Sequence, residues 1–571
     1  MRFRWETSPP RPLESRLLQQ ALGVRELTAT CLLGRGLGDP VEAAAFLSPR
    51  LKDLADPLRL PNVGPAIQRL LQARARGEHL TLFGDYDVDG VTSLALLTQV
   101  FTDLGWSVSH YLPDRFKEGY GLTMAAARNC HAARPAPVLL AVDCGSTARE
   151  PVQWLASQGV DVLVLDHHQP GDAPAEPVAL VNPQLGQHDQ ELCSAGLAFK
   201  LAHALLKEGR RQQLPGFDAY DLRPLLDLVA LGTIADLVPL VRENRILATV
   251  GLQRLGSSQR PGIVALKEVA GVPDDVRVDH VGFQLGPRLN AAGRLDSARR
   301  ALDLLLASQP EPARALAQDL DLHNRERQAI ERTMADDAIA LVRSRFNPER
   351  DYVIVEGHLL WHVGVVGIVA SRVLREFHRP TLIIGGEGNE WRGSGRSIPG
   401  FDLAAALRGC DDLLVKHGGH AMAAGVSVAP DRLDDLRERL NRIARASLAP
   451  DLLVPSLRID ATAPLSSLDI PAVEELGRLE PFGQGNPPIH LLVPSLRNAR
   501  PPQKIGKGQQ HWRLSITDGR TSTDCLWWNA AEKPVPTSDF DLVGVPSINE
   551  FNGRRSVQFK LLDWRPSQAS A

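Results

Sequence analysis

The sequence is poor in the features that would place it in several common classes. Its six cysteines (Cys31, Cys130, Cys144, Cys193, Cys410 and Cys525) are scattered, and no two form a CxxC pair. This argues against a cysteine-based zinc site and a disulfide framework, and it fits a reducing compartment. No run approaches the roughly eighteen apolar residues of a membrane span, and the opening MRFRWETSPPRPL holds no apolar signal core. Both absences lead us to expect a cytoplasmic chain with no membrane partner. The formal net charge is −3, so the global excess of Lys and Arg that marks many nucleic-acid binders is missing. A metal centre and a focused groove can still act against such a background. Aromatic residues make up only 5%, unevenly spread: of nine tryptophans, four fall in the last sixty residues.

What is present is ordinary for a globular protein, 43% hydrophobic and 23% charged. At 571 residues the chain has room for about four domains, each able to bury a core. One stretch organises the rest, TLFGDYDVDGVTS at 81–93. An apolar run reads as a buried strand, glycines 84 and 90 bracket the turn after it, and Asp85, Asp87 and Asp89 alternate between them. Three like charges crowded at the end of a buried strand repel one another and must be desolvated. A divalent cation removes that penalty, and carboxylates are the ligands hard cations prefer. Taken alone, the same residues also read as a solvated turn with an N-cap aspartate.

The surrounding pattern favours the metal. Residues 1–75 read as short helices broken by proline, a lead-in packed on the first domain. From about 76 to 240, apolar β-branched runs alternate with helices, which implies a doubly wound α/β domain on a parallel sheet. Such sheets place ligands at the carboxyl ends of their strands. Here successive strands end in Asp85/Asp87/Asp89, in Asp143 of VDCGS, and in Asp166-His167-His168, while Asp236 of LGTIADLVPL follows an apolar helix. Together they offer enough ligands for two divalent ions. Oxygen-dominated ligation with one imidazole fits Mn²⁺ or Mg²⁺, whereas Zn²⁺ would want more nitrogen or sulfur.

In this order GDYDVDG, VDCGS, DHH and GTIADLVPL resemble the four motifs of the DHH phosphoesterase superfamily. The aspartate-rich first motif resembles the RecJ branch, the single-strand-specific DNA exonucleases. Many relatives carry a histidine there, and this chain has Asp85 instead. Further segments resemble RecJ in the expected order: PDRFKEGYGL, CSAGLAFKL, GPRLNAAGRL, WHVGVVGIVASRV, RGSGRSIPGFDL, HGGHAMAAG and LEPFGQGNPP. The resemblance spans roughly residues 70–560. It implies a DHH domain at 76–240, a helical region with a long connector helix at 241–345, and a second α/β domain, DHHA1, at 346–450. An all-β OB-fold barrel follows at 451–571, and the Pro- and Gly-rich PFGQGNPP reads as a boundary near Gln484. In the barrel, Trp512, Trp527, Trp528, Phe551 and Phe559 interleave with Lys504, Lys507, Arg513, Arg554 and Arg555, as in single-strand grips.

The activity implied is 5′-to-3′ degradation of single-stranded DNA to mononucleotides in repair and recombination, by a monomer, with the single-strand-binding protein as a partner. The metal ligands are then Asp87, Asp89, Asp143, His167 and Asp236, with Asp85, Asp166 and His168 completing the catalytic set. Arg115, Arg288, Asn290, Arg294, Arg372, Ser394, Arg396 and His420 are the implied substrate contacts. Two other classes stay open at this point. A DHH enzyme acting on small or very short substrates would not need the barrel, and a scaffold that had lost its metals would not keep every acid.

Overall fold

The computed structural model describes residues 3–114, 117–186, 191–295, 298–386 and 388–567. The apolar runs of the first half become β1 (His79–Gly84), β2 (Ser107–Tyr111), β3 (Val138–Val142), β4 (Asp161–Leu165) and β5 (Ala179–Val181). All pairings are parallel, and the strand order is β2-β1-β3-β4-β5. A parallel sheet needs cover on both faces. Two cores supply it, one including Leu80, Leu82, Val138, Leu140 and Leu163, the other Phe83, Leu139, Ala141, Val162 and Val164. Alternate residues of each strand thus enter opposite cores, as a two-residue side-chain period requires. The chain reverses direction across the sheet between β1 and β3. At such a point neighbouring connections diverge to opposite faces and open a crevice at the strand ends.

The expected helices are present. Val63–Arg76 packs into the first of these cores, Val88–Asp103 and Leu226–Ala235 lie side by side within it, and Ser194–Arg211 joins them. Further helices continue to Pro310–Arg345, a single helix of 36 residues. No helix among the described residues is long and apolar enough to cross a membrane.

The chain divides into two compact units, and the division falls inside that long helix. One holds Thr7–Asp321 together with the chain from Ile459 onward, and the other holds Leu322–Arg458. In the second unit a mixed five-stranded sheet runs Lys416–His420, Ala423–Val428, Trp391–Arg396, Thr381–Gly385, Ile354–His358, with only the last pair parallel. The charge-rich connector is not simply solvated. Asn324, Arg327 and Glu331 are buried, and Arg327 donates to both of the others.

The last hundred residues form the expected barrel. Leu491–Ile505, His511–Thr517, Ser522–Trp527, Arg554–Pro566 and Phe540–Phe551 pair in succession, and Leu491–Ile505 pairs back to Phe540–Phe551 to close it. One expectation is corrected here. Only part of the leading segment packs on the parallel-sheet domain. Pro12–Leu22, Glu26–Gly34 and Pro40–Leu47 bury Leu18, Ala29, Leu32 and Leu47 in the same core as the barrel's Leu491, Phe540 and Phe559. The stretch around Gln484, expected as a domain boundary, is also packed against the first domain. The Leu240 N–H donates to the Gln484 carbonyl, and a Cβ at Gly485 would lie 2.8 Å from Pro239. Glycine there serves close approach to the first domain as well as turning the chain.

Arg245 shows how firmly this stretch is held. Its buried guanidinium donates to the carbonyls of Phe46, Arg478, Leu479 and Glu480, and it lies 3.7 Å over the Phe46 ring. Desolvation pulls its pKa down to about 9, which leaves it charged at neutral pH. Arg245→Ala leaves several buried carbonyls without a donor, and a cost of about 3 kcal/mol is expected. A urea titration checks this: the midpoint should fall, and limited proteolysis should open the chain near 478–486.

Candidate metal centre

β1 ends at Gly84, the helix Val88–Asp103 starts three residues after Asp85, and Asp87 caps it by accepting the Gly90 N–H at 3.1 Å. Gly90 is required there, because a Cβ would lie 2.5 Å from the Asp85 carbonyl oxygen. On the far side of the crevice β3 ends at Val142, and Asp143 follows in a left-handed backbone conformation, φ 65°. A non-glycine residue holds that conformation only where its surroundings impose it. Asp236 arrives from the C-terminus of Leu226–Ala235, and His167 from the end of β4.

These elements bring together three sets of possible ligands: Asp85, Asp87 and Asp143; Asp89, His167 and Asp236; and Asp143, His167 and His168. Asp143 and His167 belong to two sets each, so neighbouring ions would share them. His167 Nε2 lies 3.4 Å from Asp143, 3.7 Å from Asp236 and 4.0 Å from Asp89, yet it makes no hydrogen bond among the described residues. Burial and the neighbouring His168 lower its pKa to about 4, so the ring is neutral and offers a lone pair. A lone pair facing three carboxylates is repulsive unless a cation stands between them. The residues present therefore fit divalent ions.

The acids report the same strain. Burial, then mutual repulsion, raises Asp89 to about 6 and Asp236 to about 9, and pushes Asp143 well above the carboxylate range. Asp166 behaves differently. Burial would raise it too, but the hydrogen bond from His168 and the backbone N–H of Ser146 bring it down to about 2. It also accepts from the N–H groups of His167 and His168. Asp166 therefore orients the two histidines. His168, desolvated but bonded to Asp166 through Nδ1 at 2.7 Å, is raised to about 9 and carries charge at neutral pH.

Several contributing groups lie in segments singled out in the sequence, Tyr120 in PDRFKEGYGL, Ser194 and Ala195 in CSAGLAFKL and Gly232 in GTIADLVPL, but have no role assigned there. The N-terminus of Ser194–Arg211 donates two N–H groups, from Ser194 and Ala195, to the two oxygens of Asp89, at 2.7 and 2.9 Å. The Ser194 hydroxyl bonds Asp143 at 2.9 Å. Tyr120 reaches His168 Nε2 at 3.1 Å. Gly232 permits the closest packing, since a Cβ there would lie 2.7 Å from Asp89 Oδ1.

With this geometry in view, comparison with known proteins becomes informative. Family models match the DHH family N-terminal domain over residues 79–233, the DHHA1 domain over 350–446 and the RecJ OB domain over 459–563. The single-stranded-DNA-specific exonuclease RecJ of Escherichia coli (strain K12) is 36% identical over 91% of this chain and 92% of its own length. The chain belongs to the RecJ family. The RecJ of Bacillus subtilis (strain 168) is 37% identical over 98% of this chain and 71% of that protein. The crystal structure of RecJ in complex with Mn²⁺ from Thermus thermophilus superposes with a TM-score of 0.85 at 30% identity, covering 100% of this chain and 80% of that one.

The remaining RecJ-like candidates are spread over both units. Arg115 lies outside the described residues, as does the side chain of Arg294. Arg288 is engaged with Asp321 at 2.9 Å and with the Gln284 carbonyl, and Asn290 is partly exposed on the same helix, Gly286–Leu295. The other candidates belong to the second unit. There Arg372 pairs with Glu331 at 2.7 Å, so it anchors its helix to the connector as much as it faces outward. Arg396 donates to the Ser394 hydroxyl at 2.9 Å, and His420 is exposed at a strand end. A Cβ at Gly367 would lie 3.0 Å from both the Arg396 guanidinium and the Ser394 hydroxyl. In the barrel, Phe559 and Trp527 are core, whereas Trp528 and Phe551 are exposed and Lys504 sits over Trp512 at 5.3 Å.

The raised carboxyls make the metal-free fold pH-sensitive. Asp89, Asp143 and Asp236 hold protons more tightly folded than unfolded, so the folded state binds more protons above the ordinary carboxylate pKa. Stability is therefore lost as pH rises from about 4 through the folded values, which reach about 9 at Asp236 and lie well above the carboxylate range at Asp143. Thermal melts of chelated protein across this range should show Tm falling. Saturating Mn²⁺ should raise Tm more at pH 8 than at pH 6, and a pH-independent metal effect would contradict the assignment.

Proposed function

We propose that this chain is a metal-dependent exonuclease that degrades single-stranded DNA from the 5′ end and releases mononucleotides. The carrying observation is the pair of shared residues, Asp143 and His167, joining three ligand sets in a chain that matches single-stranded-DNA-specific exonucleases nearly end to end. Asp87, Asp89, Asp143, His167 and Asp236 are the proposed metal ligands, and Asp85 shares a set with Asp87 and Asp143. Mn²⁺ or Mg²⁺ suits that donor set, and when bound would neutralise the carboxylates, acidify a water and draw charge from the phosphoryl oxygens.

The chain's own groups do the rest. The N-terminus of Ser194–Arg211 and the Ser194 hydroxyl hold Asp89 and Asp143 at fixed orientations. Asp166 keeps His168 charged and aimed, which suits a phosphoryl oxygen. The exposed Trp528 and the Lys504–Trp512 pair suit a barrel that stacks bases and tracks phosphates. The same reading places the protein in the cytoplasm as a monomer serving DNA repair and recombination, with the single-strand-binding protein as a partner.

Asp143→Ala tests the metal centre. Hydrolysis should fall by about 10³-fold or more, because one shared ligand serves two ion positions. Affinity for a long strand should stay within a few-fold of wild type, as measured by fluorescence anisotropy in the absence of turnover. A variant retaining a tenth of wild-type activity would rule the ligand out.

Polarity needs a stop for the terminal nucleotide. Arg396 makes no ion pair among the described residues, and burial lowers its pKa from the ordinary guanidinium value. With Ser394 beside it, the pair is suited to a terminal phosphate, at roughly 1.5–3 kcal/mol per charged hydrogen bond. A 5′-phosphate should therefore be preferred over a 5′-hydroxyl, and Arg396→Ala should erase most of the preference while leaving metal binding unchanged. Rates on both forms of one oligonucleotide decide it. Digestion from the 3′ end, or a wild type blind to the phosphate, would overturn this assignment.

A further inference from the structure

Leu237, directly after Asp236, is an unusual residue for its position. It has φ 61° and follows the C-terminus of the helix Leu226–Ala235. Left-handed positions at helix ends favour glycine, which has no Cβ to clash. This chain closes Pro12–Leu22, Val63–Arg76 and Pro261–Ala270 with Gly23, Gly77 and Gly271, and where it departs from glycine after other helices it uses polar residues, His378 and Gln213. Leucine at such a position is conformationally costly, and the cost is normally recovered by burial. Here it is not, because Leu237 is 71% exposed.

A second apolar side chain is displayed on the neighbouring element. Val281–Leu285 is a turn of π-helix, a form that recurs at functional sites. It packs on Leu226–Ala235 through the buried Val281 and Leu285, and a Cβ at the following Gly286 would lie 3.6 Å from the Ala235 Cβ. Between those two buried residues Phe283 turns outward and is 79% exposed. Two large exposed apolar groups are thus displayed around the C-terminal end of Leu226–Ala235, Leu237 directly after Asp236 of the Asp89–His167–Asp236 set and Phe283 on the π-turn packed against that helix. Neither contributes to a core. Beside a residue of a ligand set, such side chains suit a ligand with an apolar face.

We infer that Leu237 and Phe283 receive an unstacked nucleobase adjoining the phosphodiester held at the metal centre. This rests on the exonuclease reading. A strand whose phosphate sits at the ligand sets must place a nucleoside beside Asp236, and the base is its only broad apolar surface. In a duplex that face is covered by its neighbours in the stack. A single strand can present it, so the contact rewards single strands at the cutting site itself, separately from any grip by the barrel.

The test compares an oligonucleotide with a copy whose first three residues at the digested end are abasic, for wild type, Leu237→Gly and Phe283→Ala, with Mn²⁺ present. Glycine is the residue the left-handed position favours, so Leu237→Gly should keep or raise Tm and folding is not in question. For wild type, KM on the abasic strand should be about tenfold higher than on the intact one, a factor typical of one lost base contact. Each variant should raise KM on the intact strand several-fold, leave kcat within about threefold, and narrow the difference between the two strands. Variants that lose equally on both strands, or on neither, overturn the inference. So does a wild type that cleaves both strands with the same KM, and that result leaves the exonuclease reading standing. A wild type that cleaves no oligonucleotide overturns both.

Discussion

Five aspartates, Asp85, Asp87, Asp89, Asp143 and Asp236, converge on one crevice together with His167, and three of them are almost completely buried. Placing that much like charge out of water is unfavourable for any fold, and the raised proton affinities of Asp89, Asp143 and Asp236 express the cost. The arrangement is sustainable only because much of the domain is shaped to hold it and divalent cations can neutralise it. Parallel strands β1 and β3 lie side by side at the point where the connections diverge, which brings Asp85 and Asp143 to one crevice without a long loop. The helix N-terminus at Ser194 turns its positive end toward Asp89 and so offsets part of the repulsion through fixed dipoles.

Small residues are the counterpart of this crowding. Gly90 lets the first helix start against the Asp85 backbone, and Gly232 lets Leu226–Ala235 press against Asp89 and Ala195. In both places a methyl group would collide with backbone or with a ligand oxygen, so the separation of the ligand sets depends on atoms that are absent. Asp143 holds its left-handed backbone for the same end. Conformational cost is concentrated where the ligands must be aimed, and large, regular cores on both faces of the sheet carry the stability that offsets it.

The acids were legible because each follows an apolar strand or helix, a contrast visible within a dozen residues. The parallel sheet was legible for the same reason. The supports for the acids were not, since Ser194 meets Asp143 across 51 residues and Asp89 across 105. Nor does local pattern show that Arg245 is buried beneath the carbonyls of 478–480, because an arginine among apolar residues ordinarily reads as a snorkelling surface group. The connector helix conceals the same kind of detail, because the polar Asn324, Arg327 and Glu331 satisfy one another while buried. Likewise, amphipathic helices near the N-terminus reveal that they bury one face, not that part of the partner core lies beyond residue 460.

That last connection bears on how the protein works. Barrel and metal centre belong to one compact unit, joined by the leading helices, by Arg245 and by the Leu240–Gln484 backbone bond. A strand held by the barrel is therefore held in a frame that is rigid with respect to the cutting site, without relying on a flexible tether. The proposed phosphate-recognising residues Ser394 and Arg396 belong to the other unit, reached through one continuous helix. Under the proposed function, gripping and cutting are then coupled within one compact unit.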